Sequence, residues 1–599
     1  MNRLRPDMKQ IALLLLFSLS ATVFADTKVN WYQWSSTAFA KAKKDNKLIM
    51  VYVGHEGCTA CRFMETRTFA DPRVISLLNK HFVPIQIDSV AEPDLGERYS
   101  DWAWPANAVL LPDTTQVTAF RGRTFPDRYV GLLNELLADF AQGKLKADPN
   151  TPYSVSNKPR TTDLALLRDR IRVRQDRRHA SMKFGIFETA EPLRSLLLRY
   201  HTSGDEQALS SVTRVLDGLL NHIDPVWGGM FYESVGNWKN ILPEKRLENQ
   251  IAALQAYAEA YQITGKPRYR EAINNVHRYV AEVMRSEEGT YFASTQDRLD
   301  KTPQQIDMRS YYKLDDKERR KHGLPTLDHA IYTDQNARVV TGYALAYSAT
   351  GEKIYLEAAV TAMNALLATR QAKQGWMIQL IPGEELLSDE RSLTFSAEPK
   401  MFLRTQAQVG MGLLSVYKVT NESAYKDKAV ELANLMLSNL EDKTLGGFYG
   451  AADDGSPGRR KPLEDNAVAA RFLYLLGILT KQDAFKSSAE RAIRASTPDE
   501  AVRREGRVTG NLAMALEILT TGYVEFSIVG EPNNPASLAL LEAGRDVFEP
   551  RKVIHFEAAG RYPKRDKPAM YICSDEACSV PIYKPEDVAK QARQFTSRK

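Results

Sequence analysis

A repeated spacing of threonine and aromatic residues constrains the middle of this chain more than any other feature. Threonine is followed five residues later by an aromatic residue at Thr264/Tyr269, Thr350/Tyr355, Thr420/Tyr425 and Thr480/Phe485. Each pair lies between two apolar stretches of helical periodicity, with an alanine three or four residues beyond the aromatic. The pattern predicts a short turn between antiparallel helices, in which the aromatic ring docks the second helix onto the first.

A second repeated element alternates with the first and places aromatic residues or methionine directly after glycine. It occurs at Gly228–Tyr232, Gly289–Phe292, Gly375–Met377 and Gly446–Tyr449. We expect turns of this kind to close the opposite ends of the helical hairpins. Residues 161–520 have room for five or six hairpins, which favours a closed α/α toroid over an open α-solenoid.

Cys58 and Cys61 form a CxxC motif directly after a predicted buried strand. Lys47–Val53 is almost entirely apolar, and Arg62–Leu78 has helical spacing. Strand, cysteine turn and helix are the local frame of a thioredoxin-type site, where one thiolate attacks a partner and the second resolves the mixed disulfide. A helix N-terminus at the turn would favour the Cys58 thiolate. A static structural disulfide is the alternative interpretation.

Residues 26–141 have the pattern of one α/β unit around this motif. Phe82–Ile87 predicts a second strand, and Ala108–Leu111 predicts a further strand that follows Pro105. In thioredoxin folds a cis-proline before a strand lies against the active cysteines. We therefore predict a cis bond at Pro105 and count this residue with the catalytic cysteines, with a trans turn proline as the alternative.

The first 25 residues have the features of a secretory signal peptide. Three basic residues precede an uncharged apolar run from Ile11 to Phe24, and small residues lead up to Ala25. The run is shorter than the roughly 20 apolar residues of an ordinary membrane-spanning helix, although a retained N-terminal anchor is the alternative. We expect the mature protein in an oxidising compartment, most simply a bacterial periplasm, with no membrane span after cleavage.

A second cysteine pair, Cys573 and Cys578, lies in residues 521–599, which have the pattern of a small α/β appendage. The intervening loop can close a disulfide, and the negative charge of Asp575 and Glu576 disfavours a reactive thiolate. We predict a structural disulfide here. A relay that passes electrons to or from Cys58 and Cys61, and a zinc site built from both pairs, are the alternatives.

Charge and spacing exclude several classes of function. The chain has 599 residues and a formal net charge of +6, and it contains no dense basic stripe that would indicate nucleic acid as a partner. Its histidines show no HxxxH or HExxH spacing, and no GxGxxG or GxxxxGK pattern occurs, so we expect neither a metal nor a nucleotide cofactor. Residues 142–160 are polar and rich in Pro, Ser, Asn and Lys, which predicts a linker before the helical region.

Taken together, these motifs resemble the thioredoxin-domain family that includes spermatogenesis-associated protein 20 and its bacterial relatives. The resemblance rests on the CxxC turn, on Trp104-Pro105, on Gly228-Gly229, on Glu244-Lys245 and on the terminal cysteine segment. It covers most of the mature chain. It implies a thioredoxin-like domain followed by a six-hairpin toroid similar to those of glycosidases and sugar epimerases, and it implies no defined activity.

The toroid departs from the family pattern where a sugar site would lie. Leu242-Pro243 replaces a His-Phe pair before Glu244-Lys245, and Gln335-Asn336 replaces a Trp-Asn pair. Glu244 and Tyr232 are the candidates for a toroid pocket. Glu244 would perform glycosidic chemistry there if a second carboxylate faced it across the pocket. The further candidate acids and bases are Asp224, Glu248 and Asp334. Salt-bridged carboxylates and aromatic packing between hairpins are the alternative interpretation.

The sequence thus predicts a multidomain protein with α/β and all-α parts and favours one function among three. The favoured function is a periplasmic thiol-disulfide oxidoreductase that uses Cys58 and Cys61 without a cofactor, with the toroid as a binding body. Its expected partners are protein thiols or disulfides and a periplasmic redox partner. The alternatives are a carbohydrate-active toroid enzyme with an accessory thioredoxin-like domain, and a non-catalytic scaffold.

Overall fold

Three folded units follow one another in the computed structural model of the chain. The structure describes residues 27–55, 58–99, 104–148, 163–181, 190–234, 241–300, 306–381, 398–497, 510–557, 560–563 and 565–596. The predicted signal peptide and most of the predicted linker lie outside the described residues. The units are an N-terminal α/β domain, a ring of helical hairpins and a small C-terminal α/β unit, which confirms the predicted multidomain class.

The N-terminal domain is a four-stranded sheet with helices on both faces. Its strands are β1 (Leu48–Gly54), β2 (Phe82–Asp88), β3 (Ala106–Leu110) and β4 (Gln116–Arg121). Its helices are α1 (Ser36–Asp45), α2 (Thr59–Phe63), α3 (Pro72–His81), α4 (Pro93–Tyr99) and α5 (Pro126–Ala141). The strand order is β2-β1-β3-β4, with β1 parallel to β2 and antiparallel to β3. Every residue of β1 is buried, so the cysteine turn follows an enclosed interior strand.

The helical region after the cysteines is divided in two, whereas its spacing predicts one continuous run. Helix α2 continues as a π-helical turn over Met64–Thr68, and α3 begins only at Pro72. Proline lacks the N–H that a continuing helix needs. Asp71 caps the new helix by accepting the Arg73 N–H at 2.9 Å, so the chain restarts there in a new direction.

In the described residues, twelve helices form an inner and an outer ring. The inner helices are α7 (Glu191–Ser203), α9 (Leu247–Thr264), α13 (Thr333–Thr350), α15 (Leu403–Thr420), α17 (Leu463–Thr480) and α19 (Gly510–Thr521). The outer helices are α6 (Leu164–Ser181), α8 (Glu206–Leu219), α10 (Pro267–Tyr279), α14 (Lys353–Thr369), α16 (Ser423–Asn439) and α18 (Asp483–Ser496). Each inner helix packs against the next along the chain, and α19 packs back against α7. The ring is therefore closed, which confirms the predicted toroid.

The threonine turns join an inner helix to the outer helix that follows it. The Thr264 hydroxyl donates to the carbonyl four residues earlier at 2.6 Å, and Gly265 adopts the left-handed conformation that ends α9. The Tyr269 ring is buried and packs against Tyr257 of the inner helix, as the spacing predicts. Its hydroxyl, however, lies 2.9 Å from Asp217 on the preceding outer helix, so the residue also joins neighbouring hairpins.

Each of four glycine turns is held by a side-chain amide from the inner helix that follows it. Gln250 accepts the Met230 N–H at 2.6 Å and donates to the Met230 carbonyl at 2.8 Å. The equivalent pairs are Asn336 with Tyr291, Gln406 with Met377, and Asn466 with Phe448. Each amide is the fourth residue of its helix. Because buried backbone groups outside regular structure need partners, these amide clamps fix how the chain enters the inner ring.

Short strands and helices surround the end of the ring where the inner helices begin. The strands are β5 (Glu233–Ser234), β6 (Ile241–Leu242), β7 (Lys245–Arg246), β8 (Ser294–Leu299) and β9 (Pro325–Asp328), and the helices are α11 (Met308–Tyr311) and α12 (Asp316–His322). Strand β8 pairs antiparallel with both β7 and β9. We refer to residues 241–246 together with β8 as the toroid rim.

The C-terminal unit covers the opposite end of the ring. Its strands are β10 (Val524–Val529), β11 (Lys552–Phe556) and β12 (Ala569–Cys573), and its helices are α20 (Pro535–Asp546) and α21 (Pro585–Thr596). It contacts the C-terminal ends of the inner helices, where His201 of α7 lies 3.0 Å from Glu549 and Gln262 of α9 donates to the Asp546 carbonyl at 2.8 Å. The two α/β units therefore lie at opposite ends of the toroid.

Candidate functional site

The cysteine turn is formed where β1 ends and α2 begins. Cys58 is the N-cap residue of α2, and its Sγ accepts the Cys61 N–H at 3.1 Å. The two cysteines form a disulfide, with their Cα atoms 5.1 Å apart. Cys58 keeps 6% of its surface exposed and Cys61 keeps none, so only the first cysteine has contact with solvent. A helix N-terminus stabilises negative charge, which favours the thiolate of Cys58 after reduction.

The Trp104–Pro105 peptide bond is cis, which is the geometry that the sequence predicts. Pro105 directly precedes β3, the strand that pairs antiparallel with β1. Trp104 packs against the apolar cluster that contains Cys58 and Cys61. The structure thus places the proline segment beside the strand that leads into the cysteine turn, and its part in catalysis stays a prediction.

A tyrosine and a glutamate lie beneath the disulfide on its buried side. The Tyr52 hydroxyl is 2.9 Å from Glu65 Oε1 and 3.2 Å from the Cys61 carbonyl oxygen. A Cβ atom at Gly54 would lie 3.0 Å from the Tyr52 hydroxyl and 3.2 Å from Cys61 Sγ, so both atoms border the same small space. The acidic group near Cys61 is therefore Glu65, which belongs to the helical segment after the cysteines and not to strand β1.

The first turn of α2 touches the toroid rim at two points. The Thr59 hydroxyl donates to Glu244 Oε1 at 3.0 Å. One helical turn later, Arg62 Nη2 donates to Gln296 Oε1 at 2.9 Å. Glu244 was a candidate for a separate toroid pocket, but the structure brings it to the cysteine turn. The two sites that the sequence treats as distinct are therefore adjacent.

Tyr232, the second pocket candidate, packs against the arginine that pairs with Glu244. Arg246 pairs with Glu244 Oε2 through Nη2 at 2.7 Å and Nε at 3.0 Å, and its guanidinium lies 3.6 Å from the centre of the Tyr232 ring. The Tyr232 N–H also donates to the Glu244 carbonyl at 2.7 Å. Glu244 is thus ion-paired and oriented toward Thr59 rather than paired with a second carboxylate.

A loop between β2 and α4 docks the N-terminal domain onto the ring. Val90 and Ala91 pack in one apolar cluster with toroid residues Ala293, Ala330, Tyr332 and Leu380. Gln379 donates to the Val90 carbonyl at 3.0 Å. Glu92 follows directly and is buried, which raises its pKa to about 8. The docking thus combines apolar packing with a carboxyl group that is held in its protonated form near neutral pH.

The remaining toroid candidates are tied into ion pairs or hydrogen bonds. Asp224 is fully buried and accepts from Lys245 at 2.8 Å and from Arg319 at 2.7 Å, which makes it a packing element. Asp334 accepts from Gln379 at 2.6 Å. Glu248 is half-exposed and lies 3.9 Å from Arg338. The hydrogen bonds and ion pairs of these three described carboxylates do not place any of them opposite Glu244.

Charged side chains of different inner helices pair inside the ring. Arg338 of α13 pairs with Glu191 of α7 at 3.2 Å, although α9 separates these helices in the ring. Arg194 of α7 pairs with Glu259 at 2.8 Å deeper in the ring. Burial, together with the nearby Glu191 carboxylate, raises the pKa of Glu464 to about 8. The interior of the ring is therefore polar, and it includes Glu464, an acid whose pKa lies above neutral pH.

The C-terminal cysteines lie far from the CxxC turn. Cys573 and Cys578 form a disulfide with their Cα atoms 4.1 Å apart. Cys573 is buried at the end of β12, whereas Cys578 is exposed. Because the two α/β units cover opposite ends of inner helices of up to 18 residues, about 27 Å of helix separates them. A direct relay between the pairs within one chain, the alternative left open by the sequence, does not fit this arrangement.

One group of possible cation ligands occurs among the described residues. It consists of Glu525, His555 and Glu557 in the C-terminal unit. Arg561 already lies 2.8 Å from Glu525, and Lys481 lies 3.1 Å from Glu557. These cations neutralise both carboxylates, so the group is explained as a salt-bridge network.

Comparison with known proteins supports the resemblance to the thioredoxin-domain family. Residues 18–136 match the family model Thioredox_DsbH, whose description is "Protein of unknown function, DUF255". Spermatogenesis-associated protein 20 of Homo sapiens is 22% identical, with 94% of this chain and 89% of that protein aligned. The Mus musculus protein of the same name is 23% identical over the same shares. The resemblance predicted from the motifs is therefore confirmed.

Solved structures with helical toroids are also similar to this chain. Cellobiose 2-epimerase from Bacillus thermoamylovorans is 13% identical, covers 57% of this chain and 88% of its own, and has a TM-score of 0.43. A D-mannose isomerase is 14% identical, covers 62% of this chain and 100% of its own, and has a TM-score of 0.46.

In the part of the chain that the structure describes, no helix is both long and apolar enough to cross a membrane.

Sequence reasoning missed three of the residues that surround the cysteines. Glu65 lies four residues after Cys61, a spacing that places both on one side of a helix, so a signal for it was present. Arg62 and Gln296 meet only because the two domains dock, and no local pattern indicates that contact. Their pairing follows from tertiary structure alone.

Proposed function

We propose that this protein is a thiol-disulfide oxidoreductase that acts through Cys58 and Cys61. The observation that carries the proposal is the disulfide between them at the N-terminus of α2, with Cys58 slightly exposed and Cys61 fully buried. This asymmetry suits a first cysteine that meets the substrate and a second that resolves the intermediate. The predicted signal peptide supports an oxidising compartment, and we propose the bacterial periplasm.

The proposed reaction needs only side chains of this chain. In the reduced protein the Cys58 thiolate attacks one sulfur of a substrate disulfide, and the other substrate sulfur leaves as a thiolate. Cys61 then loses its proton and attacks Cys58 Sγ, which releases the second substrate thiol and restores the protein disulfide. Two electrons pass from the cysteine pair to the substrate, and the reverse sequence oxidises a dithiol. Thiols or disulfides, on proteins or on small molecules, and a periplasmic redox partner are the proposed partners.

The two cysteine variants test this proposal in different ways. In the Cys58→Ser variant we expect the pre-reduced protein to lose its reduction of hydroxyethyl disulfide, because the attacking thiolate is missing. In the Cys61→Ser variant we expect mixed disulfides to accumulate, since the resolving thiol is missing. Mass spectrometry of acid-quenched samples identifies these adducts. Equal reactivity of the wild type and the Cys58→Ser variant would refute the proposal.

A second candidate is a carbohydrate-active toroid with an accessory thioredoxin-like domain. The feature that favours it is the buried Glu464, whose pKa is raised to about 8 near Glu191, since an acid and a carboxylate are the groups that glycosidic chemistry uses. We expect little or no turnover of common mono- and disaccharides, because Arg338 already pairs with Glu191. Sugar turnover that is lost in both Glu464→Gln and Glu244→Gln variants would favour this candidate instead.

A further inference from the structure

We propose that the toroid rim makes Cys58 react faster with low-molecular-weight disulfides than with disulfides presented on folded proteins. This inference rests on the proposed function, since it concerns the substrates of the same cysteine. It assigns a purpose to the contact between the cysteine turn and the toroid. Glu244 and Gln296 are the residues to which we assign this selectivity.

The rim holds the first turn of α2 by two hydrogen bonds on one face of the helix. Thr59 and Arg62 are three residues apart and therefore point to the same side. Thr59 donates to Glu244 at 3.0 Å, and Arg62 donates to Gln296 at 2.9 Å. Two contacts on one face fix the orientation of the turn, whereas a single contact would allow it to pivot. The face of α2 that carries Thr59 and Arg62 is therefore partly covered by the toroid, although Thr59 itself stays exposed.

The rim residues are themselves held in place, so the contact is preorganised. Glu244 is fixed because its Oε2 accepts from both Nε and Nη2 of Arg246, whose guanidinium stacks on the Tyr232 ring. Gln296 lies in β8 and is only 3% exposed. Neither partner is a mobile surface side chain that an incoming protein can simply push aside.

The small exposure of Cys58 limits which substrates reach its sulfur. Cys58 is 6% exposed, while the adjoining Thr59 is exposed beside the rim. Even a transient redox contact with a folded protein covers up to about 600 Å² on each partner, and the toroid already lies along one side of this turn. A small disulfide needs only a narrow approach to one sulfur atom. The geometry therefore favours small substrates over protein surfaces.

Single-turnover reduction by the full-length protein tests the proposal. The pre-reduced protein, freed of reductant, is mixed with hydroxyethyl disulfide or with insulin, and each rate is divided by the rate of dithiothreitol with the same disulfide. We expect the normalised rate with insulin to be at least about tenfold lower. In the Glu244→Ala/Gln296→Ala double variant the loss of two hydrogen bonds should raise the insulin rate about tenfold. The rate with hydroxyethyl disulfide should change by less than about threefold, because that substrate does not need the rim to open.

Alkylation of reduced Cys58 provides a readout that does not depend on turnover. Each alkylation rate is divided by the rate of the same reagent with free cysteine. On this scale iodoacetamide should modify wild-type Cys58 much faster than a maleimide carrying a long polyethylene glycol chain. The double variant should reduce this difference. An Arg268→Ala variant, which removes an exposed ion pair with Asp217 on the outer ring, is the matched control and should behave as the wild type.

The outcomes separate this inference from the proposed function. Cys58-dependent turnover with an unchanged ratio of insulin to small-disulfide rates in the double variant would overturn the rim proposal alone. Comparable normalised rates for both substrates in the wild type would also overturn it. Absence of Cys58-dependent turnover with either disulfide would overturn the proposed function and the rim proposal with it.

Discussion

The hydroxyl of Thr59, one residue beyond Cys58, donates a hydrogen bond to the Glu244 carboxylate over 3.0 Å. These two residues are 185 positions apart in the chain, and each belongs to a different folded unit. The contact joins the cysteine turn to the only part of the toroid in which the sequence suggested a pocket. The redox turn and the toroid rim are therefore in direct contact, and a change in the rim should alter which substrates reach Cys58.

Glu65 is expected to accept the proton of Cys61 when the mixed disulfide is resolved. The Tyr52 hydroxyl contacts both the Glu65 carboxylate and the Cys61 carbonyl oxygen, and both Tyr52 and Cys61 are fully buried, so water has little access to the proton. In the Glu65→Gln variant the resolution step should slow on the order of 100-fold near neutral pH, the size of a general-base contribution. Rapid acid quenching followed by mass spectrometry measures the lifetime of the mixed disulfide.

The pH dependence of this step separates proton transfer from a structural effect. In the wild type Glu65 should keep the resolution of the mixed disulfide fast below the ordinary thiol pKa of about 8.5. In the Glu65→Gln variant the rate of this step should rise only as the pH approaches that value. Tyr52→Phe should give a smaller effect of the same kind. The exposed Glu135→Gln variant of the same domain is the control. Identical pH profiles for Glu65→Gln and the wild type would contradict this role.

Asp224 is expected to be a stability residue rather than a catalytic one. It lies between Lys245 and Arg319, and all three side chains are fully buried. The Asp224→Asn variant leaves two buried cations without their counter-charge, which costs about 3–5 kcal/mol. Urea unfolding followed by circular dichroism measures the loss. The Asp316→Asn variant, which removes the exposed partner of Arg320, should lose much less. Similar unfolding midpoints for the two variants would disprove the assignment.

The parts of the fold that local sequence determines were predictable, and the parts that docking determines were not. The spacing of Thr264 and Tyr269 indicates two antiparallel helices, because helical periodicity and turn chemistry are local. The hydroxyl contact of Tyr269 with Asp217 depends on how hairpins pack and carries no local signal. In the same way, the strand before Cys58 and the cis bond at Pro105 follow from the motif. The placement of Glu244 against Thr59 follows from packing alone.

The amide clamps explain the role of Asn336, the asparagine that Gln335-Asn336 shares with the Trp-Asn pair expected from the family resemblance. An amide at the fourth position of an inner helix pairs both backbone groups of a buried turn residue, as Asn466 does for Phe448. In the Asn466→Leu variant both groups lose their partner, at a cost of about 1–3 kcal/mol for each. Thermal unfolding measures this loss. The Asn439→Leu variant on the outer ring is the control, and an equal effect there would contradict the clamp.

The docking of the N-terminal domain is expected to weaken as the pH rises. Burial raises the pKa of Glu92 to about 8, above its ordinary value of 4.5, while Lys400 acts in the opposite direction and Asp94 adds to the shift. The protonated carboxyl therefore favours the docked state. This contribution is complete below pH 4.5 and is lost as the pH rises through about 8.

Comparison of the wild type with Glu92→Gln tests this dependence. The neutral amide cannot ionise, so the unfolding midpoint of the variant should decline less between about pH 5 and pH 8. Hydrogen exchange of residues 90–95, compared between the two proteins at each pH, locates the effect at the docking loop. Parallel pH profiles would show that Glu92 does not control docking.

The Cys573–Cys578 disulfide is expected to stabilise the C-terminal unit and to take no part in electron transfer with Cys58. Closing its short loop stabilises the fold by about 2 kcal/mol in the chain-entropy model, so the Cys573→Ser/Cys578→Ser variant should unfold at lower urea concentration. Its rate of insulin reduction should match that of the wild type, because the toroid separates the two cysteine pairs by about 27 Å of helix. Mass spectrometry of the Cys61→Ser protein provides the stricter measurement, since Cys58 is then free to form other disulfides. An intramolecular bond from Cys58 to Cys573 or Cys578 would require the C-terminal unit to leave its end of the ring and would make the second pair part of the mechanism.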